Sequence, residues 1–394
     1  MDDTKQLLRI IKKPGIAIPV SLFFIIMCII TVWFLNRNFK KSWAREQALP
    51  DIVRLVNENE YTAAFQLAER AEKYIPNDPQ LGDLIPQVQR TFSIKTTPSR
   101  ADVFIKDYTD PDGDWGHIGK TPLDSVKISC ACKQWKIVKQ GFEIVVGTDR
   151  WSNRDKDVLT KYGISILSHV NLNNKLDEAG TIPAEMVKVN GGSAWIGELE
   201  NYLIDKYEVS NKQYKTFVDS NGYRRQEYWK QPFVKDGRII LWEEAMAEFV
   251  DATGRPGPAK WIVGDYPDRL DDYPVTGISW YEAAAYAEFA GKNLPTIFHW
   301  GFAAGLDNHV VIIPHSNFEG EGAAPIGKYR GVSPFGTYDM AGNVSEWCWN
   351  ASGENRLLNG GSCYDPPYIV LPVESLFFMQ KFFNKDQLLL QRKG

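Results

Sequence analysis

Cysteine and histidine are both scarce in this chain, with five of each in 394 residues. The cysteines build no framework. Cys28 lies in an apolar run, Cys130 and Cys132 stand too near each other to pair easily, and only Cys348 and Cys363 are spaced for a bridge. That pattern excludes a disulfide scaffold and leaves the redox compartment open. There is no Cys-x-x-Cys, no His-x-x-x-His and no paired zinc spacing, which excludes the common structural zinc sites. The Gly-x-Ser-x-Gly elbow and the phosphate-cradling glycine loop are also absent, and with them two frequent enzyme signatures. Positive charge is not concentrated anywhere, and the net charge is -4; both argue against a nucleic-acid surface.

Long apolar runs are lacking too, with one exception. Residues 16–35, IAIPVSLFFIIMCIITVWFL, carry no charge, and at about 1.5 Å per helical residue they span roughly the 30 Å of a bilayer core. Asn36, Arg37 and Lys40 follow in place of a small-residue cleavage site, so the run reads as an uncleaved anchor preceded by a tail at 1–15. Lys5, Arg9, Lys12 and Lys13 on one side balance Arg37, Lys40, Lys41 and Arg45 on the other. Charge therefore assigns no orientation.

Beyond the anchor, residues 48–90 show apolar positions at helical spacing: Ile52, Leu55 and Val56, then Ala64, Phe65, Ala68 and Ala71, with Pro76 and Pro79 ending the pair. A single helical hairpin of tetratricopeptide type is expected, packed on a neighbour because one such unit cannot bury its own face. Over 91–147 the period changes to two (Phe92, Ile94; Ala101, Val103, Ile105; Val126, Ile128; Trp135, Ile137), with turns between. A small β-sandwich is predicted. The Asp-rich turn at 110–114 is no calcium loop, because its twelfth position is Thr121 rather than Glu. Residues 148–183 form a connector with one alternating stretch, Ile164, Ile166, Leu167, Val170 and Leu172.

The last segment, 184–394, is built differently. Ser210 with Gln213 and Ser279 with Glu282 have the spacing of capping boxes, each opening a helix. Tyr214 and Phe217 are assigned to the core side of the first, Ala283, Ala284 and Ala287 to that of the second, with Gly222 and Gly291 as their stops. Between them 223–275 is long, aromatic and proline-rich. Residues 336–362, GTYDMAGNVSEWCWNASGENRLLNGGS, combine glycines and aromatic residues with Asp339 and Glu346. The expectation is a loop-built site whose oxygens suit a hard cation.

DKYEVSNKQYKTFV at 205–218, PVTGISWYEAAAYAEFAGKNLPT at 274–296 and AGNVSEW at 341–347 together resemble the formylglycine-generating enzyme (sulfatase-modifying factor) superfamily. The resemblance implies an α+β fold related to C-type lectins, with little regular secondary structure. TTPSRADVFIKD, GKTPL and KQGFE, within 91–147, resemble the PEGA domain, with Ser99 to Ala101 where that family usually has a glycine. For the large domain the family pattern implies calcium held by Asp339, Gly342, Val344 and Glu346; a second calcium site would begin at Asn317 and Phe318, but its other half is shortened to EGEGAAPIG. True formylglycine generators carry copper on two cysteines, three and eight residues beyond the GGS serine. Here those places hold Asp365 and Val370, while Cys363 directly follows Ser362.

The resemblance thus implies the scaffold without the copper pair, and a degenerate enzyme that binds a ligand or partner, with Trp347 and Ser362 as candidate ligand-binding residues. Cys363 is the one candidate for catalysis, and the alternative is an active oxidoreductase in which Cys348 and Cys363 together hold copper. His299 stands where many relatives have an acid, and 374–394 lack the family's usual Gly-Phe-Arg ending. Similarity to the distal part of bacterial receptor kinases places 36–394 outside the cytoplasm and implies a kinase or signalling partner, since this chain has no kinase motif.

Overall fold

The computed structural model describes residues 14–149, 169–194, 197–305, 309–318, 320, 322–352 and 355–367. Val370, the segment 374–394 and Ile164 to Leu167 of the connector lie outside the described residues. Two compact units divide the chain. One comprises 1–93, 124–131 and 167–171, the other 94–123, 132–166 and 172–394.

The first unit opens with helix α1 (Pro14–Trp43), which passes through a π turn at Ala44–Ala48 into α2 (Leu49–Asn57). Among the described residues this is the one helix long and apolar enough to cross a membrane, and its large apolar side chains from Leu22 to Leu35 are exposed. Helix α3 (Tyr61–Glu72) returns against α2 over a core of Ile52, Ala64, Ala68 and Ala71. A third helix, α4 (Pro79–Val88), follows where the prolines were expected to end the hairpin. Asp78 caps it by accepting from Gln80 N at 3.1 Å, and Pro79 takes the first helical position, where a missing N–H goes unnoticed. Leu81 and Val88 complete the core.

The strands expected over 91–147 are β1 (Gln89–Thr97), β2 (Asp102–Asp107), β3 (Gly116–Lys120), β4 (Leu123–Ser129), β5 (Lys133–Val138) and β6 (Val145–Thr148). One antiparallel sheet has the order β3-β2-β5-β6; a second, β4-β1-β7, includes β7 (His169–Lys175) from the connector. Arg100, within the stretch Ser99 to Ala101, has φ +64°. The bonds Arg100 N to Thr121 O and Thr121 N to Ala101 O hold that left-handed turn.

Within the second unit the chain following β2 shares a core with the large domain. Tyr108 is wholly buried beside Ile312, Val332 and Ala341. Its hydroxyl donates to Val332 O at 2.9 Å, and its ring lies 5.6 Å from that of His315.

The large domain has few long elements. Strands β8 (Met186–Val189) and β11 (Tyr202–Asp205) pair antiparallel, and β9 (Gly192–Ala194) pairs with β10 (Gly197–Leu199). Helices α5 (Asn211–Asp219) and α7 (Trp280–Phe289) both start in true capping boxes. Ser210 N donates to Gln213 Oε1 at 2.9 Å and Ser279 N to Glu282 Oε2 at 2.7 Å. Between these helices the proline-rich stretch 223–275 contains a short hairpin, β12 (Phe233–Lys235) with β13 (Arg238–Ile240), and helix α6 (Trp242–Glu248). Then come α8 (Ile297–Ala304), α9 (His309–Ile312) and a final hairpin, β14 (Glu346–Ser352) with β15 (Asn355–Asn359).

Two assignments on the helices differ from expectation. Ala285, not Ala284, is the buried partner of Ala283 and Ala287 on α7. At the end of α5 the left-handed residue is Asn221, with φ +58°. Gly222 is glycine for another reason: a Cβ there would lie 2.1 Å from the ring of Phe217. Phe217 stacks in turn with Tyr214, Tyr223, Trp229 and Phe289, so its ring has no room to retreat. Gly222→Ala should therefore destabilise the full chain by about 1–3 kcal/mol, whereas Asn221→Gly should stay within about 0.5 kcal/mol. Denaturant melts in detergent micelles, compared with the wild type, check both.

Candidate functional site

The loop from Asp339 to Glu346 is curled by three left-handed residues, Asp339 (φ +57°), Gly342 (φ +76°) and Asn343 (φ +58°). Gly342 forms a parallel bridge to Asn317, so closely that a Cβ would sit 2.2 Å from the Asn317 carbonyl oxygen. The curl is held by Asn343. Its Oδ1 accepts from Ala324 N at 2.8 Å and from Asn317 Nδ2 at 3.0 Å, and its Nδ2 donates to Glu208. Its backbone N–H donates to Asn317 O, and its carbonyl accepts from Cys363 N at 2.9 Å. Glu208 uses its other oxygen to accept from Val344 N at 3.1 Å.

Glu208, Asn343 and Asn317 had received no such bonding role from sequence. Glu208 and Asn343 do stand inside the quoted motifs DKYEVSN and AGNVSEW. A polar residue amid turn-forming glycines was the available signal.

The two carboxylates assigned to calcium belong to this loop. Asp339 is 5 % exposed, and its Oδ2 accepts from Gly327 N at 2.6 Å. Glu346 is only partly covered as a residue, but its carboxylate meets the indole N–H of buried Trp300 at 3.0 Å. Burial pushes the Asp339 carboxyl up to about 6, against the opposing Gly327 N–H. Burial likewise pushes Glu346 up to about 7; the Trp300 bond opposes this, and the charges of Asp339 and Asp205 add to it. Glu208 is raised as well, first by burial and then by Asp339 and Glu346.

Buried acids that repel one another suit a divalent cation, which would neutralise them. The donor set, two carboxylates with the carbonyls of Gly342 and Val344, is the all-oxygen kind that calcium takes. Among the described residues no three carboxylate, imidazole or thiol groups gather as a metal cluster. Asn317, the start of the expected second calcium site, spends its amide on Gly322 O and Asn343.

Beside the loop lies a cleft of ≈ 1400 Å³, walled by Tyr202, His299, Trp347, Trp349, Arg356 and Ser362 among others. Trp347 is fixed by its indole N–H to Ile278 O at 3.2 Å. His299 has Nδ1 2.6 Å from Thr296 Oγ1, the cap of α8, and packs edge-on to Tyr202 with ring centroids 4.8 Å apart.

Sulfur is divided between two places. Cys363 lines the cleft. Cys348, on β14, is buried with Val189, Trp300, Ala303 and Met340. No disulfide joins Cys348 and Cys363. Burial raises both the Cys348 and Cys363 thiols above their ordinary range, which disfavours the thiolate a soft metal needs. Asp365 accepts from Ser362 N at 2.8 Å and Ser362 Oγ at 2.7 Å. A carboxylate tied down in this way, at a place where the family pattern has a thiol, does not fit a dithiolate copper site.

Residues 174–386 match the family described as the sulfatase-modifying factor enzyme 1-like domain. The chain belongs to that family. Among its relatives it is 34 % identical over 190 residues to a formylglycine-generating enzyme of Thermomonospora curvata, covering 39 % of this chain and 62 % of the relative. It is 26 % identical over 229 residues to serine/threonine-protein kinase pkn1 of Chlamydia caviae, covering 52 % and 34 %. A hercynine oxygenase of Mycolicibacterium thermoresistibile is 27 % identical over 173 residues, covering 40 % and 37 %. The chain thus spans less than two thirds of each of these relatives' lengths.

The carboxylates give this family domain a pH signature. Their native pKa values lie above the roughly 4 of unfolded carboxyls, so the stability they contribute is fully present below about pH 4. It is lost as pH rises through about 6 and about 7, by something on the order of 3 kcal/mol for each group. In a calcium chelator the full chain should melt at a lower temperature at pH 8 than at pH 5. Asp339→Asn combined with Glu346→Gln should flatten that slope, and calorimetry across the range checks both.

Proposed function

We propose that this protein is a membrane-anchored binding module of the cell envelope. In this reading its sulfatase-modifying-factor domain offers the cleft to a ligand or partner and does not oxidise cysteine. The observation that carries the proposal is the division of sulfur: Cys363 reaches the cleft while Cys348 lies in the apolar core, and Asp365 bonds Ser362. Oxygen chemistry on Cu(I) calls for a soft thiolate pair. Trp347 and Ser362 are the ligand-facing residues of the loop hairpin, and both line the cleft.

Calcium on Asp339, Gly342, Val344 and Glu346 is the structural ion of this proposal. When bound it supplies charge neutralisation to the buried carboxylates, and the loop residues hold its oxygens in place. Helix α1 is the anchor, a role its exposed apolar side chains support, and the domains beyond it face away from the cytoplasm. The module before the large domain acts as a PEGA-type spacer. A relative named as a serine/threonine-protein kinase aligns with 52 % of this chain, which supports a kinase or other signalling partner for it.

A second reading, an active formylglycine generator, draws on one observation: Cys363 does line the cleft. Incubating the full chain with Cu(I) and a cysteine-containing sulfatase peptide separates the two. Mass spectrometry should find no conversion to formylglycine; turnover that disappears on Cys363→Ser would overturn the binding-module reading. Added calcium should raise the melting temperature more at pH 8 than at pH 5, since protonated carboxyls compete with the ion. No rise at either pH, or a rise that Glu346→Gln leaves intact, removes calcium from the proposal.

A further inference from the structure

The charges of the cleft are unevenly committed. Each of its acids is already engaged by the protein. Asp205 accepts from Lys292 Nζ at 2.5 Å, Glu208 from Asn343 and Val344, Glu346 from Trp300, and Asp365 from Ser362. Arg356, on β15, is different. It lines the cleft half-buried, and its guanidinium, among the described residues, makes neither a hydrogen bond nor an ion pair.

What holds it is a ring. The guanidinium carbon lies 3.7 Å from the centroid of the Trp280 indole. Trp280 is itself 3 % exposed and is fixed by its Nε1–H to Cys348 O at 2.9 Å. On the same ring packs Trp349, at 5.3 Å between centroids, and Trp349 keeps 40 % of its surface exposed beside the cleft. A guanidinium stacked on an aromatic face is oriented through that face, and its N–H donors are left for another acceptor. Two parallel N–H bonds match a carboxylate, and a second aromatic face next to them suits a flat apolar group.

We propose that Arg356 anchors a carboxylate in the cleft, with Trp349 packing the apolar part of the same ligand, so that the site takes an acidic ligand with an aromatic group next to its acid. The proposal deepens the binding-module reading and depends on it only for the cleft being a binding site. Trp280 is the positioning residue, because it sets the guanidinium plane without touching the ligand. A lysine at 356 keeps the charge but loses both the stack and the fork.

Phenylacetate and its neutral isostere phenylacetamide are suitable probes, titrated against the full chain in detergent and followed by ligand-observed NMR. Phenylacetate should bind roughly tenfold or more tightly than phenylacetamide, as charge-assisted hydrogen bonds predict. Arg356→Lys should erase most of that preference while leaving phenylacetamide binding within about twofold and the melting temperature unchanged. Equal affinity for acid and amide, no binding of either probe, or an acid preference that survives Arg356→Lys overturns the proposal. If the variant does not fold, the acid-to-amide ratio of the native chain decides alone. Cysteine turnover would sink the binding-module reading and leave this ratio standing, whereas equal affinities would do the reverse.

Discussion

A single buried amide, that of Asn343, joins the loop-built half of the large domain to its regular half. Both ends of the side chain and both backbone polar groups of the residue are engaged, to Glu208, Asn317, Ala324 and Cys363. Those partners come from four separate stretches of chain. Loops lack the ladders that satisfy backbone groups in helices and sheets, so a side chain must take that part. In a low-dielectric interior such a network is rigid when complete and unfavourable when one member is missing. The left-handed turn at Asn343 and the close approach of Gly342 to Asn317 are the backbone conditions for it.

Behind the loops stands an aromatic core that needs little secondary structure to be firm. Tyr214, Phe217, Tyr223, Trp229, Phe249 and Trp261 pack into one cluster with Val275 and Ala285. The wholly buried Glu282 ties the polar ends together: its carboxylate accepts from Tyr223 and from the Ser279 backbone. Burial first, and then the charge of Glu282, raise the Tyr214 and Tyr223 hydroxyls well above their usual range, which keeps them protonated donors. The relatives it resembles carry names as different as formylglycine-generating enzyme, hercynine oxygenase and protein kinase, so the fold alone assigns no chemistry.

Local signals were legible wherever the physics was local. Both capping boxes follow from a serine and an acid or amide three residues on, and the structure has both. The long apolar helix and the alternating strands before the large domain could likewise be read from period alone. Reading failed where packing or a cap decides what a residue type alone leaves open. Gly222 looks like a helix stop, yet Phe217 is what excludes a side chain there. Pro79 looks like a breaker, but the Asp78 cap turns it into a start. Ala284 and Ala285 cannot be told apart by composition, because which of them is buried depends on how α7 is rolled against its neighbours.

The same division holds for the site. The amino-acid string alone established which oxygens and sulfurs were available, and that the copper positions hold Asp365 and Val370, because identity at a motif position needs no coordinates. Only the folded chain decided that Asp339 and Glu346 share one buried region, that Cys348 and Cys363 part company, and that Arg356 lies over Trp280. Proximity between residues many positions apart is set by loop closure and packing, and neither is written in spacing.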